Sequence, residues 1–125
     1  MTITFIKKPF SKKENLQCLD ENVREWFTRT FKELTPPQQF SFKLISQNKS
    51  VLITSPTGSG KTLAGFMAIL SKLFILAKRG KLKDSIYCIY CSPLKALLND
   101  VEKNLLIPLK EIRKIASEKG VSVPE

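Results

Sequence analysis

The segment from Ser55 to Thr62 constrains the fold of this 125-residue chain more than any other feature. It has the sequence S-P-T-G-S-G-K-T and stands between a short apolar run at 51–53 and a long stretch with helical periodicity. Gly58 and Gly60 let the backbone turn so that successive N–H groups can face an anion, and the helix start directly after them adds further unpaired N–H groups. A strand, this loop and a helix in succession predict a phosphate-binding loop.

Two side chains at the end of the loop have the chemistry that such a site needs. Lys61 can reach the β- and γ-phosphates of a nucleotide, and the Thr62 hydroxyl can ligate Mg²⁺. The loop departs from the usual pattern at one position, because Ser55 stands where a glycine is usual. An ordinary glycine-rich turn is the alternative, but the full string and its strand-to-helix context both favour the phosphate-binding interpretation.

Apolar periodicity predicts the elements around the loop. Asp20 and Thr35 are predicted helix N-caps, and Gln38 completes a capping box with Thr35. Asn48 is a predicted left-handed C-cap of the helix that Thr35 begins, and Gly80 is predicted to end the long helix after the loop. Residues 51–54 and 85–91 are predicted strands, apolar enough to be covered on both faces. Helices are predicted after each cap, over 61–79, after Pro93, and from Leu109 to Gly120, with Pro108 breaking or restarting the last run. The fold class is therefore α/β, with parallel strands and flanking helices, and residues 1–18 are a basic, irregular arm.

The charge is strongly positive, and it is unevenly placed. The formal net charge is +10, and no acidic residue occurs between Glu33 and Asp84, whereas eight Lys and Arg residues do. Lys7, Lys8 and two further lysines add charge to the N-terminal arm. This balance favours a polyanionic partner such as nucleic acid, although a solvated lysine-rich surface would have the same composition.

Other residue counts exclude several classes of site. The chain has no histidine, which excludes histidine catalysis and histidine metal ligands. Its three cysteines form no disulfide framework, and Cys88 and Cys91 would point to opposite faces of a strand. No signal peptide and no apolar run long enough to span a membrane is visible. A soluble, cytoplasmic protein is the expectation.

Three motifs together resemble those of superfamily 2 helicases. P-T-G-S-G-K-T is similar to their motif I, the segment from Phe31 to Gln38 with L-T-P-P-Q resembles their Q motif, and S-P-L-K-A-L at 92–97 resembles motif Ia. Together with Trp26-Phe27 and S-P-L-K-A-L-L-N-D, the set resembles the large helicase-related (Lhr-like) ATP-dependent helicases over about residues 16–125. The resemblance implies that residues 19–125 are the N-terminal portion of a RecA-like ATP-binding domain.

The resemblance also implies a role for each matching residue. Gln38 would read the edges of adenine with Phe31 near the base, beside its capping role. Lys61 and Thr62 would contribute to catalysis, with Thr62 as the protein ligand of Mg²⁺. The ATP contacts would be Phe31, Gln38, Pro56, Thr57, Gly58, Ser59, Gly60, Lys61 and Thr62. Ser92, Leu94, Lys95 and Ala96 would lie against single-stranded DNA or RNA without sequence specificity, the alternative being a plain strand-to-helix turn.

The acidic D-E-x-H motif of these helicases does not occur in this sequence. The one Asp-Glu pair, Asp20-Glu21, precedes the loop and is predicted to be a helix cap. The second motor domain is missing as well, so we expect no turnover from this chain alone. In the family's sheet the two predicted strands are not neighbours, and we therefore expect them to be left unpaired. A binding product without turnover and, more remotely, a compact P-loop kinase or GTPase are the alternatives.

Overall fold

The computed structural model describes residues 2–56, 58–92 and 97–121, and the regular structure in those ranges is helical. In chain order the helices are α1 (Lys12–Gln17), α2 (Glu21–Thr30), α3 (Pro36–Ser46), α4 (Lys61–Lys78), α5 (Leu97–Val101) and α6 (Ile107–Glu118), with a π-helical turn (Glu102–Leu106) joining the last two. None of these described helices is both long enough and apolar enough to cross a bilayer.

Helix α4 lies at the centre of the packing. It contacts α3, α2 and the π-helical turn, while α1 packs on α3 and α2 packs on α6. Its apolar residues recur at three- and four-residue steps, and they form one buried face. The core contains Val23, Trp26, Phe27, Leu34, Phe42, Leu63, Ala64, Met67, Leu70, Phe74, Ile112 and Ala116, among others. Helix α4 therefore fixes the direction in which the loop before it faces.

The predicted helix ends are confirmed. The Asn22 N–H donates to the Asp20 carboxylate at 2.9 Å, and the Thr35 N–H donates to Gln38 Oε1 at 2.9 Å within a capping box. Asn48 closes α3 with φ 62°, and Gly80 follows α4 with φ 64°. Each cap contact joins groups two or three residues apart, which is why these ends can be read from the sequence.

The prediction of an irregular arm over residues 1–18 is wrong for residues 12–17. Ser11 begins α1 with a capping box, and Leu16 enters the core. Asn15 is fully buried, and its Nδ2 donates to the Gln39 carbonyl at 3.0 Å. The basic residue Lys12 donates to the Lys32 carbonyl at 2.6 Å. The second half of the arm is thus packed on α3.

The two predicted strands are also wrong for the structure described. Residues 51–54 and 85–91 form no strand ladder with each other or with any other described segment. Several of their apolar side chains face solvent, with Leu52 90%, Ile86 84% and Ile89 85% exposed. A strand forms only where a neighbouring segment takes its N–H and C=O groups. The missing ladder between the two segments agrees with the expectation that they are not neighbours in the sheet. One ring contact, between Tyr90 and Phe66 at 5.0 Å, holds the second segment against α4.

Pro108 is the second residue of α6, so the prediction that it restarts the C-terminal helical run is confirmed, and the alternative that it breaks the run is wrong. The run continues from Leu97 to Glu118, and the π-helical turn lies immediately before the proline. Because proline has no N–H and its ring crowds the preceding turn, a local widening of the helix removes the conflict. Pro108 and Ile112 are buried, so the widened turn still seats α6 in the core.

Asp20 connects the start of α2 with the last turns of α4. Its carboxylate is 2% exposed and lies 2.6 Å from Lys78 Nζ, and its N–H donates to Ser71 Oγ at 2.6 Å. Burial alone would lower the pKa of Lys78, but the hydrogen bonds to Asp20 and Glu21 outweigh it and raise that pKa. The stabilisation that these contacts of Lys78 add to the folded state is therefore fully present below the ordinary lysine pKa. It is lost as the pH rises through the pKa that Lys78 has in the folded chain.

Asp20→Ala is expected to lower the free energy of unfolding by about 2 kcal/mol, since it removes an N-cap and a charge-assisted hydrogen bond together. Glu21→Ala is the matched control, because Glu21 is exposed and reaches the same Lys78 at 3.2 Å. Its expected loss is about 0.5 kcal/mol or less. Urea denaturation of both variants measures the difference. Equal losses would contradict the assigned role of Asp20.

Candidate nucleotide-binding site

The loop before α4 has the backbone geometry that an anion-binding loop needs. Gly58 and Gly60 have φ values of 80° and 86°, a region that side chains other than glycine rarely adopt. The Ser59 N–H donates to the Pro56 carbonyl at 3.3 Å, which closes the turn. Helix α4 begins directly afterwards at Lys61, so that its first N–H groups, which have no partner within the helix, lie at the loop.

Ser55 is accommodated at the position where a glycine is usual. Its hydroxyl donates to Ser59 Oγ at 2.6 Å, across the base of the loop. The side chain is therefore directed into a hydrogen bond within the loop. The departure from the usual pattern leaves both glycine turns intact.

Lys61 and Thr62 each have a polar partner, one within the loop and one in α5. Lys61 Nζ donates to the Ser55 carbonyl at 2.5 Å, so the ammonium group is held against the loop itself. Thr62 Oγ1 lies 3.5 Å from Asp100 Oδ2, at the end of α5. A cationic donor, a hydroxyl and turned backbone N–H groups at one helix start are the groups that a Mg–nucleotide requires. The residues present fit such a ligand.

A cavity of about 290 Å³ opens beside the loop. Its polar groups come from Lys61 and Thr62, and the rest of its wall is mostly apolar. The lining residues are Val51, Ile53, Lys61, Thr62, Gly65, Phe66, Ile69 and Tyr90. A larger depression along α6 contains no loop residue, so volume alone does not locate the site.

Gln38 contacts the loop directly. The side chain is 3% exposed, and its Nε2 lies 3.5 Å from the Gly60 carbonyl while its Oε1 accepts the Thr35 N–H. The capping role is thus confirmed, and the contact joins the start of α3 to the loop. Contact with adenine stays a prediction. Phe31 is 39% exposed, with its ring 5.1 Å from that of Phe27.

The other predicted site residues are only partly within the described structure. Thr57, Leu94, Lys95 and Ala96 lie outside the described residues. Ser92 is half-buried at the end of the second extended segment. The contact between Asp100 and Thr62 was not predicted from the sequence. Asp100 follows Ser92 by eight residues, and a carboxylate at that position has no fixed sequence spacing to the loop.

The chain matches the DEAD/DEAH box helicase family model over residues 35–123. It is 48% identical to the ATP-dependent helicase Lhr-Core of Methanocaldococcus jannaschii over 98% of this chain and 15% of that protein. It is 39% identical to the Lhr helicase/uracil glycosylase of Escherichia coli over 72% of this chain and 6% of that protein. Helicase Lhr of Mycobacterium smegmatis, solved bound to ssDNA and AMP-PNP, is similar with a TM-score of 0.70 and 38% identity over 89% of this chain and 14% of that one.

This chain belongs to the DEAD/DEAH box helicase family. Within it, the matches confirm the resemblance to the Lhr-like helicases. The structural similarity also supports the RecA-like fold class, although the strands of that class are missing from the described residues. A compact P-loop kinase or GTPase is no longer a competing interpretation. The chain spans 11–15% of the length of the Lhr-Core relatives that it matches.

Proposed function

We propose that this chain is the ATP- and nucleic-acid-binding N-terminal segment of an ATP-dependent DNA or RNA helicase, in which NTP hydrolysis drives strand unwinding. Residues 19–125 would be the N-terminal portion of its RecA-like domain. The observation that carries this proposal is the pair of left-handed glycines directly before Lys61 at the head of α4. The free cysteines fit a reducing compartment, and we place the protein in the cytoplasm.

On nucleotide binding, Lys61 would exchange the Ser55 carbonyl for phosphate oxygens. This exchange needs only a rotation of the lysine side chain, because the ammonium already lies against the loop. Backbone N–H groups of residues 58–62 would hold the phosphates, and the Thr62 hydroxyl would hold the cation. Mg²⁺, when bound, neutralises phosphate charge. Gln38 and Phe31 lie on the α2–α3 side, where we place the base.

The test is equilibrium titration of the purified chain with a fluorescent ATP analogue, with and without Mg²⁺. Saturable binding that is displaced by unlabelled ATP is the expected result. No saturable binding by a chain with native helical circular dichroism would overturn the nucleotide site.

Nucleic-acid binding is expected to be weak, independent of sequence and steeply dependent on salt. The net charge of +10 and the proposed contacts at Ser92, Leu94, Lys95 and Ala96 motivate this expectation. Each phosphate neutralised contributes a slope of about −0.7 to the log–log plot of affinity against salt for single strands. Fluorescence anisotropy with two unrelated oligonucleotides measures both properties. Binding that is unchanged in molar salt would contradict the electrostatic mode.

Binding without turnover is a second candidate for this 125-residue chain. The observation in its favour is that Asp20, of the one Asp-Glu pair in the sequence, caps α2 and pairs with Lys78. That carboxylate is buried by its own packing, so it is not available to orient an attacking water. Phosphate release by the purified chain, with and without single-stranded nucleic acid, distinguishes the two candidates. Turnover at ordinary helicase rates would exclude the binding-only role.

A further inference from the structure

Helix α6 and the π-helical turn before it have two faces of different character. One face is buried in the core and contains Pro108, Ile112, Ile115 and Ala116. The opposite face is exposed and combines three lysines with two aliphatic side chains. Counted by helical steps of three and four, these residues form one stripe, which we call the outer face of α6. Its members are Lys103, Leu106, Ile107, Lys110 and Lys114.

The two aliphatic side chains lie in the middle of the outer face. Leu106 is 54% exposed and Ile107 is 47% exposed. The residue before them, Leu105, packs on the core, so the π-helical turn separates a leucine that contributes to the core from one that does not. Single exposed aliphatic residues are ordinary. Two adjacent ones between cations have the apolar centre and polar rim of a protein–protein interface.

The cations of the outer face are not used within the described part of the chain. Lys103, Lys110 and Lys114 are all exposed, and none of them enters an ion pair with another described residue. A depression of about 680 Å³ runs along α6, and its lining includes Ile107, Lys110 and Lys114. The net charge of +10 steers an acidic partner toward the chain, and the outer face gives such a partner a defined place to bind.

The composition of this surface favours a protein partner over nucleic acid. Surfaces for single-stranded nucleic acid combine cations with aromatic rings that stack on the bases, whereas the outer face carries aliphatic side chains. Glu111 lines the same depression and accepts a hydrogen bond from the Trp26 indole N–H. Its formal negative charge repels a phosphate backbone, but a protein segment can place a neutral side chain beside it.

We propose that the outer face of α6 is a docking surface for an acidic amphipathic helix of a partner protein. An apolar stripe of that helix covers Leu106 and Ile107, and its flanking carboxylates pair with the three lysines. The apolar centre supplies affinity, while the charges select the partner and speed its association. The outer face shares no residue with the loop at 55–62, so this interaction is separate from nucleotide binding.

The test uses the full chain and a fluorescein-labelled synthetic peptide with leucine at helical steps of three and four and glutamate at the flanking positions. Fluorescence anisotropy measures the affinity, and heteronuclear NMR spectra locate the peptide on the chain. We expect saturable binding with the largest shifts in α6. Leu106→Gln with Ile107→Gln should weaken binding by about tenfold or more. Lys110→Gln with Lys114→Gln should weaken it by about fivefold.

The matched control is Lys81→Gln with Lys83→Gln, since both are exposed lysines outside the outer face. It should bind the peptide within about twofold of wild type, because exposed charges at a distance are screened. All three double variants should keep the helical circular dichroism of wild type and its affinity for the fluorescent ATP analogue. A second probe, in which serine replaces leucine, should bind wild type about tenfold more weakly, and it tests the apolar centre without any change to the chain.

Several results would overturn the inference. Absence of saturable peptide binding, or equal binding of the serine peptide, would show that the outer face has no apolar docking role. An equal loss in the control variant would reduce the effect to general charge. Unchanged peptide binding by the α6 variants, with weaker binding of a single-stranded oligonucleotide, would assign the face to nucleic acid. Failure of wild type to bind the ATP analogue would overturn the proposed function and leave this inference standing.

Discussion

Lys61→Ala is expected to weaken binding of Mg–ATP by about tenfold to a hundredfold, which for a weak site means loss of measurable binding. Lys61 Nζ is the charged donor at the loop, and it lies 2.5 Å from the Ser55 carbonyl. A charge-assisted hydrogen bond contributes about 1.5–3 kcal/mol, and alanine replaces this donor with no other group. Isothermal titration calorimetry or analogue fluorescence measures the change.

Lys72→Ala is the matched control for this prediction. Lys72 lies on the same helix and carries the same charge, but its Nζ is paired with Asn48 on the exposed side. Its removal changes the net charge by the same amount and leaves the loop intact. We expect nucleotide affinity within about twofold of wild type, since exposed charges at this separation are screened. Equal affinity for wild type and Lys61→Ala would overturn the site assignment.

Gly60→Ala is expected to be the most damaging single-methyl change in the loop. The residue has φ 86°, and an added Cβ would lie 2.7 Å from Gln38 Nε2 and 3.0 Å from Thr35 Oγ1. The left-handed backbone costs about 1–2 kcal/mol for a residue with a Cβ, and the overpacking adds about 1–3 kcal/mol. We therefore expect a loss of about 2–5 kcal/mol in unfolding free energy, measured by urea denaturation, together with loss of nucleotide binding.

Gly58→Ala separates the cost of the left-handed backbone from the cost of overpacking. Gly58 has φ 80°, but nothing lies within 4 Å of its added Cβ, so that only the backbone term of about 1–2 kcal/mol applies. In a Gln38→Ala background the extra cost of Gly60→Ala should shrink, because the nearest atom is gone. Equal losses for Gly58→Ala and Gly60→Ala would show that the contact between Gln38 and the loop is unimportant.

The features that the sequence determined are those made between near neighbours in the chain. The cap contacts at Asp20, Thr35 and Asn48 join groups two or three residues apart, and the apolar face of α4 repeats with the helical period. The phosphate-binding loop is equally local, since glycine conformation and a helix start suffice to form it. Membership of the helicase family also follows from short motifs.

Contacts between distant parts of the chain were decided by the tertiary structure alone. The predicted strands at 51–54 and 85–91 have the right composition, but a strand exists only where another segment takes its backbone groups. The contact of Gln38 with Gly60 joins residues 22 apart, and that of Thr62 with Asp100 joins residues 38 apart. No periodicity or cap encodes such pairs. They arise because α3 and the π-helical turn after α5 both pack against α4, and that packing brings Gln38 and Asp100 to the same loop.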